Sequence, residues 1–518
     1  GLLGYFVSVR TVLFLAVGAA FNLRDVDARG SAWGGVAVGM LLTLCEPLIK
    51  TPLTATKQVV VNLPGVRPVP KPAVSAGWLP TTSFAALALG GVLAAAGAPG
   101  WVYLVAVLAT VPLTVRVLVD AVRANLISRR AEQAIPGALA RYAPQFAVYY
   151  AATQGVNYQL GMWLPYLERL GRPYVVITRQ PSTVSAIRAL TSAPILVPKS
   201  TNVSDSLDAM VVPSLRAAFY VQGSPQNQTF QRYRQMTHIW LNHGDSDKQA
   251  NFHPRHATYD KLFVHGQQGV DRYAAHGIEV PPERFVIIGR PQVERIEVRA
   301  VPLPPNTART VFYAPTWKGG RPSTNYSSLP LGLQLVEAVL ARGWTVVFRP
   351  HPLSYHDKTD AGRIRAIHAR LEADRASSGR NHVWGEQAEK AWDIPACFNV
   401  SDALITDVSS VASDFLASDK PFAMVAMTAE GDAFREEFPT ARVAYVIERD
   451  LSTLPAALDA FAGLDPLLES RRAYRRYCIG DRIGPDAAAD FLRITTDIID
   501  GRAVTEAAPE VRPLAPQR

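Results

Sequence analysis

Four short segments carry side chains whose types and spacing suit proton transfer or anion binding. The first is His238-Ile-Trp-Leu-Asn-His243-Gly244-Asp245-Ser246-Asp247-Lys248. An imidazole titrates near neutrality, so His243 can take a proton from an attacking hydroxyl. Gly244 lets a substrate approach the backbone closely. The second segment, Tyr313-Ala-Pro-Thr316-Trp317-Lys318, offers a hydroxyl, an aromatic face and a cation, chemistry that fits a phosphate or a base. In the third, Phe348-Arg349-Pro350-His351-Pro352, two prolines restrict the backbone around His351. An aimed imidazole beside a guanidinium suits a pyrophosphate leaving group. The fourth is Thr406-Asp407-Val-Ser409-Ser410, followed by Asp414. Ser409 and Ser410 open a helix whose free N–H groups and positive dipole end attract anions. Each segment also has a plain structural reading: a core histidine, a strand-to-loop turn, a kinked surface loop, an N-cap.

Each segment stands at the end of an expected strand, where open α/β sheets bind ligands. Strands are expected at 147–150, 174–178, 218–221, 238–241, 262–264 and 285–288, with helices at 157–170 and 268–276. The proline-rich run Val301-Pro-Leu-Pro-Pro305 reads as a linker. The alternation then restarts, with strands at 311–313, 345–349, 382–384, 403–406 and 421–425, and helices at 331–342, 360–373 and 411–417. Two doubly wound α/β halves of parallel βαβ units follow from this pattern. The Pro- and charge-rich residues 507–518 read as a disordered tail. No G-x-G-x-x-G or G-K-[ST] loop is present, which disfavours dinucleotide and P-loop functions.

The first 125 residues differ in character. Apolar runs at 2–21, 33–49, 84–98 and 101–119 read as about four membrane helices, the first interrupted by Arg10. Lys50, Lys57, Arg67 and Lys71 lie between the second and third runs without an acidic residue, and Arg123, Arg129 and Arg130 follow the fourth. The positive-inside rule then places both ends, and the α/β halves, in the cytoplasm of a multi-pass cell-membrane protein. A net charge of +9 suits anionic lipid or a phosphorylated substrate. Nucleic acid is disfavoured because no basic stripe is interleaved with aromatics. The three cysteines, Cys45, Cys397 and Cys478, lack metal spacing. The clustered histidines His238, His243, His253, His256 and His265 form no recognisable ligand set, so no metal site is expected. A Mg²⁺ ion carried on substrate phosphate is compatible with this chemistry.

Taken in order and spacing, His243-Gly244…Lys248, Tyr313-Ala-Pro-Thr-Trp317, Arg349-Pro-His351-Pro and Thr406-Asp-Val-Ser-Ser410 with Asp414 and Lys420-Pro421 resemble the CDP-glycerol glycerophosphotransferases of teichoic acid synthesis. The resemblance runs from about residue 145 to 495, with a weaker match at Tyr474–Asp481. It implies a GT-B fold of two Rossmann-like halves behind the membrane anchor. The implied division is 1–130 anchor, 131–300 acceptor domain, 306–506 donor domain and 507–518 tail. By position, His243 would be the base on the acceptor hydroxyl. His351 and Arg349 would steady the donor pyrophosphate, and Ser409 and Ser410 would cradle phosphate. Thr316, Asp407, Asp414 and Lys420 would shape the donor pocket, while Gly244, Lys248 and Trp317 would contact substrate. The implied partners are a CDP-alcohol such as CDP-glycerol, a polyprenyl-linked or wall-polymer acceptor, and the membrane, with CMP released. Two departures fall in the acceptor half: Asp245-Ser246-Asp247 replaces the family's Thr-Pro-Leu, and Gly289-Arg290-Pro291-Gln292-Val-Glu294 replaces G-x-P-R-x-D.

The residues alone leave other classes open. A GT-B glycosyltransferase using a nucleotide sugar would also use a histidine base and a helix-end phosphate site. A non-catalytic membrane scaffold would keep the fold without the chemistry.

Overall fold

The computed structural model describes residues 6–23, 29–54, 59–67, 75–199, 202–242, 244, 252–299, 304, 307, 309–320 and 324–504. The expected tail at 507–518 and most of the linker at 301–305 lie outside them. The described chain divides into two compact units, one from Gly1–Pro144, Pro173–Arg188 and Ser192–Ser214, the other from Gln145–Arg172, Ala189–Thr191 and Leu215–Arg518.

The first unit begins with helices α1 (Val7–Asn22), α2 (Arg29–Thr54), α3 (Trp78–Ala95), α4 (Gly100–Leu108) and α5 (Val111–Tyr142). Three stretches, Gly30–Ile49, Trp78–Ala95 and Gly100–Tyr142, are long and apolar enough to cross a membrane. The first helix is apolar but only 16 residues long. Large apolar side chains face outward, among them Val12, Leu41, Leu48 and Val92, as on a helix bundle solvated by lipid. Small residues let these helices approach: a Cβ on Gly39 would run into Phe14. Arg10, which interrupts the first apolar run, is buried in a two-pronged ion pair with Glu46 at 2.5 and 2.9 Å.

Three strands complete this unit: β1 (Val59–Val61), β3 (Tyr174–Thr178) and β4 (Ile195–Val197). The β1 strand pairs antiparallel with β4, which pairs parallel with β3. Because β1 belongs to the connection between α2 and α3, and β3 and β4 follow α5, those connections share one side of the helical bundle. Lys199 reaches Glu132 of α5 at 2.6 Å, and the Tyr142 hydroxyl donates to the Tyr174 carbonyl.

Two parallel sheets organise the second unit. One contains β2 (Phe146–Tyr150), β5 (Ala217–Tyr220), β6 (Thr237–Trp240), β7 (Lys261–Val264) and β8 (Phe285–Ile287), paired in that order. The other contains β9 (Thr310–Ala314), β10 (Thr345–Phe348), β11 (Ala403–Thr406), β12 (Phe422–Val425) and β13 (Tyr445–Ile447), in the order β10-β9-β11-β12-β13. The strands are short, β-branched or aromatic and buried, as parallel sheets covered on both faces require. One apolar cluster, around Phe312, Leu404 and Phe422, covers one face of the second sheet. The other face holds Val311, Val346 and Ile405. The last helix, Ala489–Ile499, packs Phe491 against Trp163 and Phe263 of the first sheet's half.

Two expected elements are replaced. The helix expected over 157–170 is two short ones, Val156–Gln159 and Leu164–Glu168, parted at Gly161, where a Cβ would collide with the Asn157 carbonyl. The strand expected at 382–384 is a single bridge from Val383 to Val347. The strands β1, β4 and β13 were not expected.

Candidate functional site

The exit of β6 is shaped before any chemistry is considered. Asn242 adopts a left-handed backbone, φ 60°, and its amide donates to the Gly244 carbonyl at 2.9 Å. The Trp163 indole N–H pins the Asn242 carbonyl at 2.6 Å. Gly244 then comes close to Ser410, whose Oγ would lie 3.5 Å from a Cβ built on that glycine. His243 and Lys248 lie outside the described residues.

Ser410 begins a six-residue helix, Ser410–Phe415, and Ser409 caps it by accepting from the Val411 N–H. On the same helix Asp414 receives two hydrogen bonds from Arg290, at 2.8 and 3.1 Å. Arg290 is only 1% exposed and lies within hydrogen-bonding distance of His265 as well, at 3.2 Å. This pair ties the chain leaving β8 to the helix that follows β11. The sequence marked Arg290 only as a departure from a motif; its place between a glycine and a proline directly after a strand was the available signal.

Asp407 ends β11 and is fully buried. Its carboxylate accepts from the Thr316 N–H, from the Ser328 N–H and from the Ser328 hydroxyl, at 2.8 to 3.0 Å. These three donors, the Thr316 N–H shared between both oxygens, fix the loop leaving β9. Thr316 and Asp407 are therefore brought together as framework, and the loop they fix presents Trp317.

Trp317 stacks on His351, ring centres 6.2 Å apart, and Tyr158 from the first sheet's half meets the same imidazole edge-on at 6.3 Å. The His351 Nδ1 accepts from the Leu353 N–H at 3.1 Å. A neutral ring held this way carries its proton on Nε2 and can donate there to a phosphate oxygen. Arg349 commits Nη1 to the carbonyls of Ala388 and Trp392, at 2.5 and 2.7 Å. Its guanidinium braces the turn at Gln387–Ala391 while standing one residue from Pro350-His351.

Lys420 is elsewhere. It precedes β12, at the edge of the sheet opposite the strand exits, and its Nζ donates to the carbonyls of Phe398, Asn399 and Ser401. It closes the end of the helix Ile394–Val400. Burial, with Arg299 nearby, pulls its ammonium down to about 8. The structure thus places the Lys420 ammonium, expected to shape the donor pocket, at a helix end. Among the described residues no group of three His, Cys, Asp or Glu side chains comes together as a metal site.

Residues 289–439 match the family model of the CDP-Glycerol:Poly(glycerophosphate) glycerophosphotransferases. The chain is a glycerophosphotransferase-like enzyme. The match spans less than a third of the chain, but that stretch contains Arg290, Trp317, Arg349, His351, Asp407, Ser409, Ser410 and Asp414. The glycerophosphotransferase-like stretch is thus strands β9 to β12 of the second sheet together with the chain that leads into them from β8. No curated protein matches the sequence. Likeness among solved structures is distant. The wall teichoic acid polymerase TagF has 15% identity over 73% of this chain and 95% of its own, with a TM-score of 0.42. A UDP-N-acetylglucosamine 2-epimerase has 11% identity over 71% of this chain and 99% of its own, with a TM-score of 0.44. The UDP-GlcNAc 2-epimerase from Neisseria meningitidis has 9% identity over 68% and 98%, with a TM-score of 0.41.

Proposed function

We propose that this protein is a membrane-embedded, GT-B-type transferase. It moves a phosphoalcohol, glycerol phosphate in the first instance, from a CDP-alcohol to a hydroxyl on a polyprenyl-linked or wall-polymer acceptor. The observation that carries the reading is the family match over the strand exits of the second sheet, where His351, Trp317, Ser410 and Asp414 stand.

In this reading the acceptor oxygen attacks the phosphorus that bears the alcohol. The bond from that phosphorus to the bridging oxygen breaks, and CMP leaves with the electron pair. The acceptor proton passes to His243. His351, donating from Nε2, stabilises the charge that builds on the diphosphate as the bridge breaks. Ser409 and Ser410 offer a hydroxyl and N–H groups to a phosphate oxygen. Any divalent cation is assigned to the donor's own diphosphate. The α1–α5 helices hold the enzyme at the inner leaflet with the α/β halves in the cytoplasm. The shared side of β1, β3 and β4, together with the basic connections, supports that orientation. The domain boundaries proposed from the sequence, 131–300 for acceptor and 306–506 for donor, follow the same reading.

The test is acceptor-dependent CMP release from CDP-glycerol by the detergent-solubilised full chain, beside His243→Ala and His351→Ala. Release abolished in both folded variants supports the reading. Turnover of a UDP-sugar, with no CMP from CDP-glycerol or CDP-ribitol, replaces it with glycosyl transfer.

A further inference from the structure

Beside His351 lies an open pocket of about 270 Å³ that the transfer step above does not use. Trp317, Lys318, Ser354, His356 and Asp357 line it from the second sheet's half, and Gln154 lines it from the loop after β2. Its chemistry can be read wall by wall. Trp317 supplies an aromatic face, and because the same indole stacks on His351, an occupant of the pocket sits one ring away from that imidazole. Lys318 and Asp357 form an ion pair at 2.5 Å. The hydrogen bond from Lys318 holds the carboxyl of Asp357 below its ordinary range, and the same bond raises the ammonium of Lys318. Asp360 at the margin is likewise paired, to Arg363 at 2.7 Å. The charged wall is thus already balanced, and a second phosphate would have to displace Asp357 from its lysine.

A neutral ligand with both donors and acceptors meets no such cost. Ser354 adds an independent sign. It is 2% exposed, lines the pocket, and its hydroxyl has no hydrogen-bond partner among the described residues. A buried polar group left unpaired is unfavourable, and a ligand hydroxyl brought to that wall would relieve it. The exposed Gln154 amide offers one more donor and one more acceptor. Pockets that enclose drug-sized ligands run from about 300 Å³ upward, so this one suits a fragment rather than a whole nucleotide.

We propose that the pocket is a subsite for a neutral polyhydroxylated group, an open-chain polyol or a single sugar ring, stacked through its C–H face on Trp317. The identification of that group rests on the transferase reading. It is either the alcohol of the donor or the terminal unit of the acceptor, and the two are separable.

Saturation-transfer NMR on the full solubilised chain, with glycerol, ribitol and methyl glucoside as probes, reads the subsite without any turnover. Transfer to C–H protons of at least one probe is expected, lost in Trp317→Ala and weakened in Gln154→Ala, whose exposed position keeps the fold intact. In turnover, Gln154→Ala should raise one KM by about fivefold to tenfold with kcat little changed, while Trp317→Ala, which also removes the ring stacked on His351, should raise the same KM and lower kcat as well. A rise confined to the CDP-alcohol assigns the group to the donor, and one confined to the acceptor assigns it there. Polyol contacts that persist while CDP-glycerol is not turned over would uphold the subsite and remove the transferase reading. CMP release with no polyol contact and unmoved KM values in both variants would overturn the subsite and leave the reaction standing.

Discussion

The two parallel sheets of the second unit are braced by different physics. Around the second sheet the fixing groups are charged: Asp407 gathers Thr316 and Ser328, Arg290 grips Asp414, and Lys420 closes a helix end. Around the first sheet aromatic rings predominate. Trp240 packs at a tilt against His256, ring centres 4.3 Å apart, Tyr149 stacks on Phe230 at 4.8 Å, and His238 lies between the Tyr220 hydroxyl and the Tyr233 carbonyl. Charged clamps tolerate little substitution, because removing one partner strands the other. Aromatic packing tolerates many shapes of similar volume. The family match follows this division: it covers the charged frame of the second sheet and takes only the chain beyond Gly289 from the first.

Arg290→Ala should have the largest effect, about 3 kcal/mol of stability, because a buried guanidinium leaves both Asp414 and His265 without it. Arg290→Lys should recover little, since a lysine cannot reproduce two parallel N–H bonds. Thermal unfolding of the solubilised chain measures both. Asp407→Ala comes next, at about 2 kcal/mol, with loss of turnover because the loop bearing Trp317 is released. A fully active Asp407→Ala protein would mean that this loop is positioned by something else.

Acid should separate the two sheets. Burial pulls His256 down to about 3 and lowers His238 as well. The unfolded histidines take up protons near 6.5 while the folded ones do not. The stability they support is therefore present above that pH and falls progressively below it. In the second sheet's half Asp374, held down by hydrogen bonds from Arg380 and then His382, has the acidic pattern. Its contribution is full above about pH 4 and lost as pH falls below it. Hydrogen-exchange mass spectrometry between pH 7 and pH 4 should show β6 and β7 opening before α-helical segment Lys358–Ser378. Simultaneous opening would erase the distinction between the sheets.

The smallest effect is expected at Lys420. Lys420→Met should lower stability by about 1 kcal/mol and leave the KM for a CDP-alcohol unchanged, because its ammonium serves helix carbonyls. A raised donor KM would return Lys420 to the substrate.

Much of the candidate site is legible in the sequence because strand exits collect residues that a core strand does not want. Arg349-Pro-His351-Pro and Asp407-Val-Ser409-Ser410 announce themselves by type alone. Partnerships were less legible. Nothing near Lys420 in sequence shows that the carbonyls at Phe398 and Ser401 await it, and Arg290 meets Asp414 across more than a hundred residues. The pairing of Arg10 with Glu46 is hidden in the same way. Arg10 reads as an interruption of an apolar run until a second helix supplies its counter-charge. Among elements, β1, β4 and β13 are three residues each, too short for an alternation to register, and β1 lies in what reads as a basic loop between membrane helices. The long helix over 157–170 failed at Gly161 and Pro165, where backbone geometry overrides an apolar period.

The most direct measurement is ³¹P NMR of the full chain turning over CDP-glycerol with a polyprenyl-linked acceptor. The account predicts that the donor diphosphate signals give way to a CMP monoester and a new phosphodiester in equal amounts. Persistence of CDP-glycerol, while a nucleotide sugar is consumed without a new phosphodiester, would contradict it.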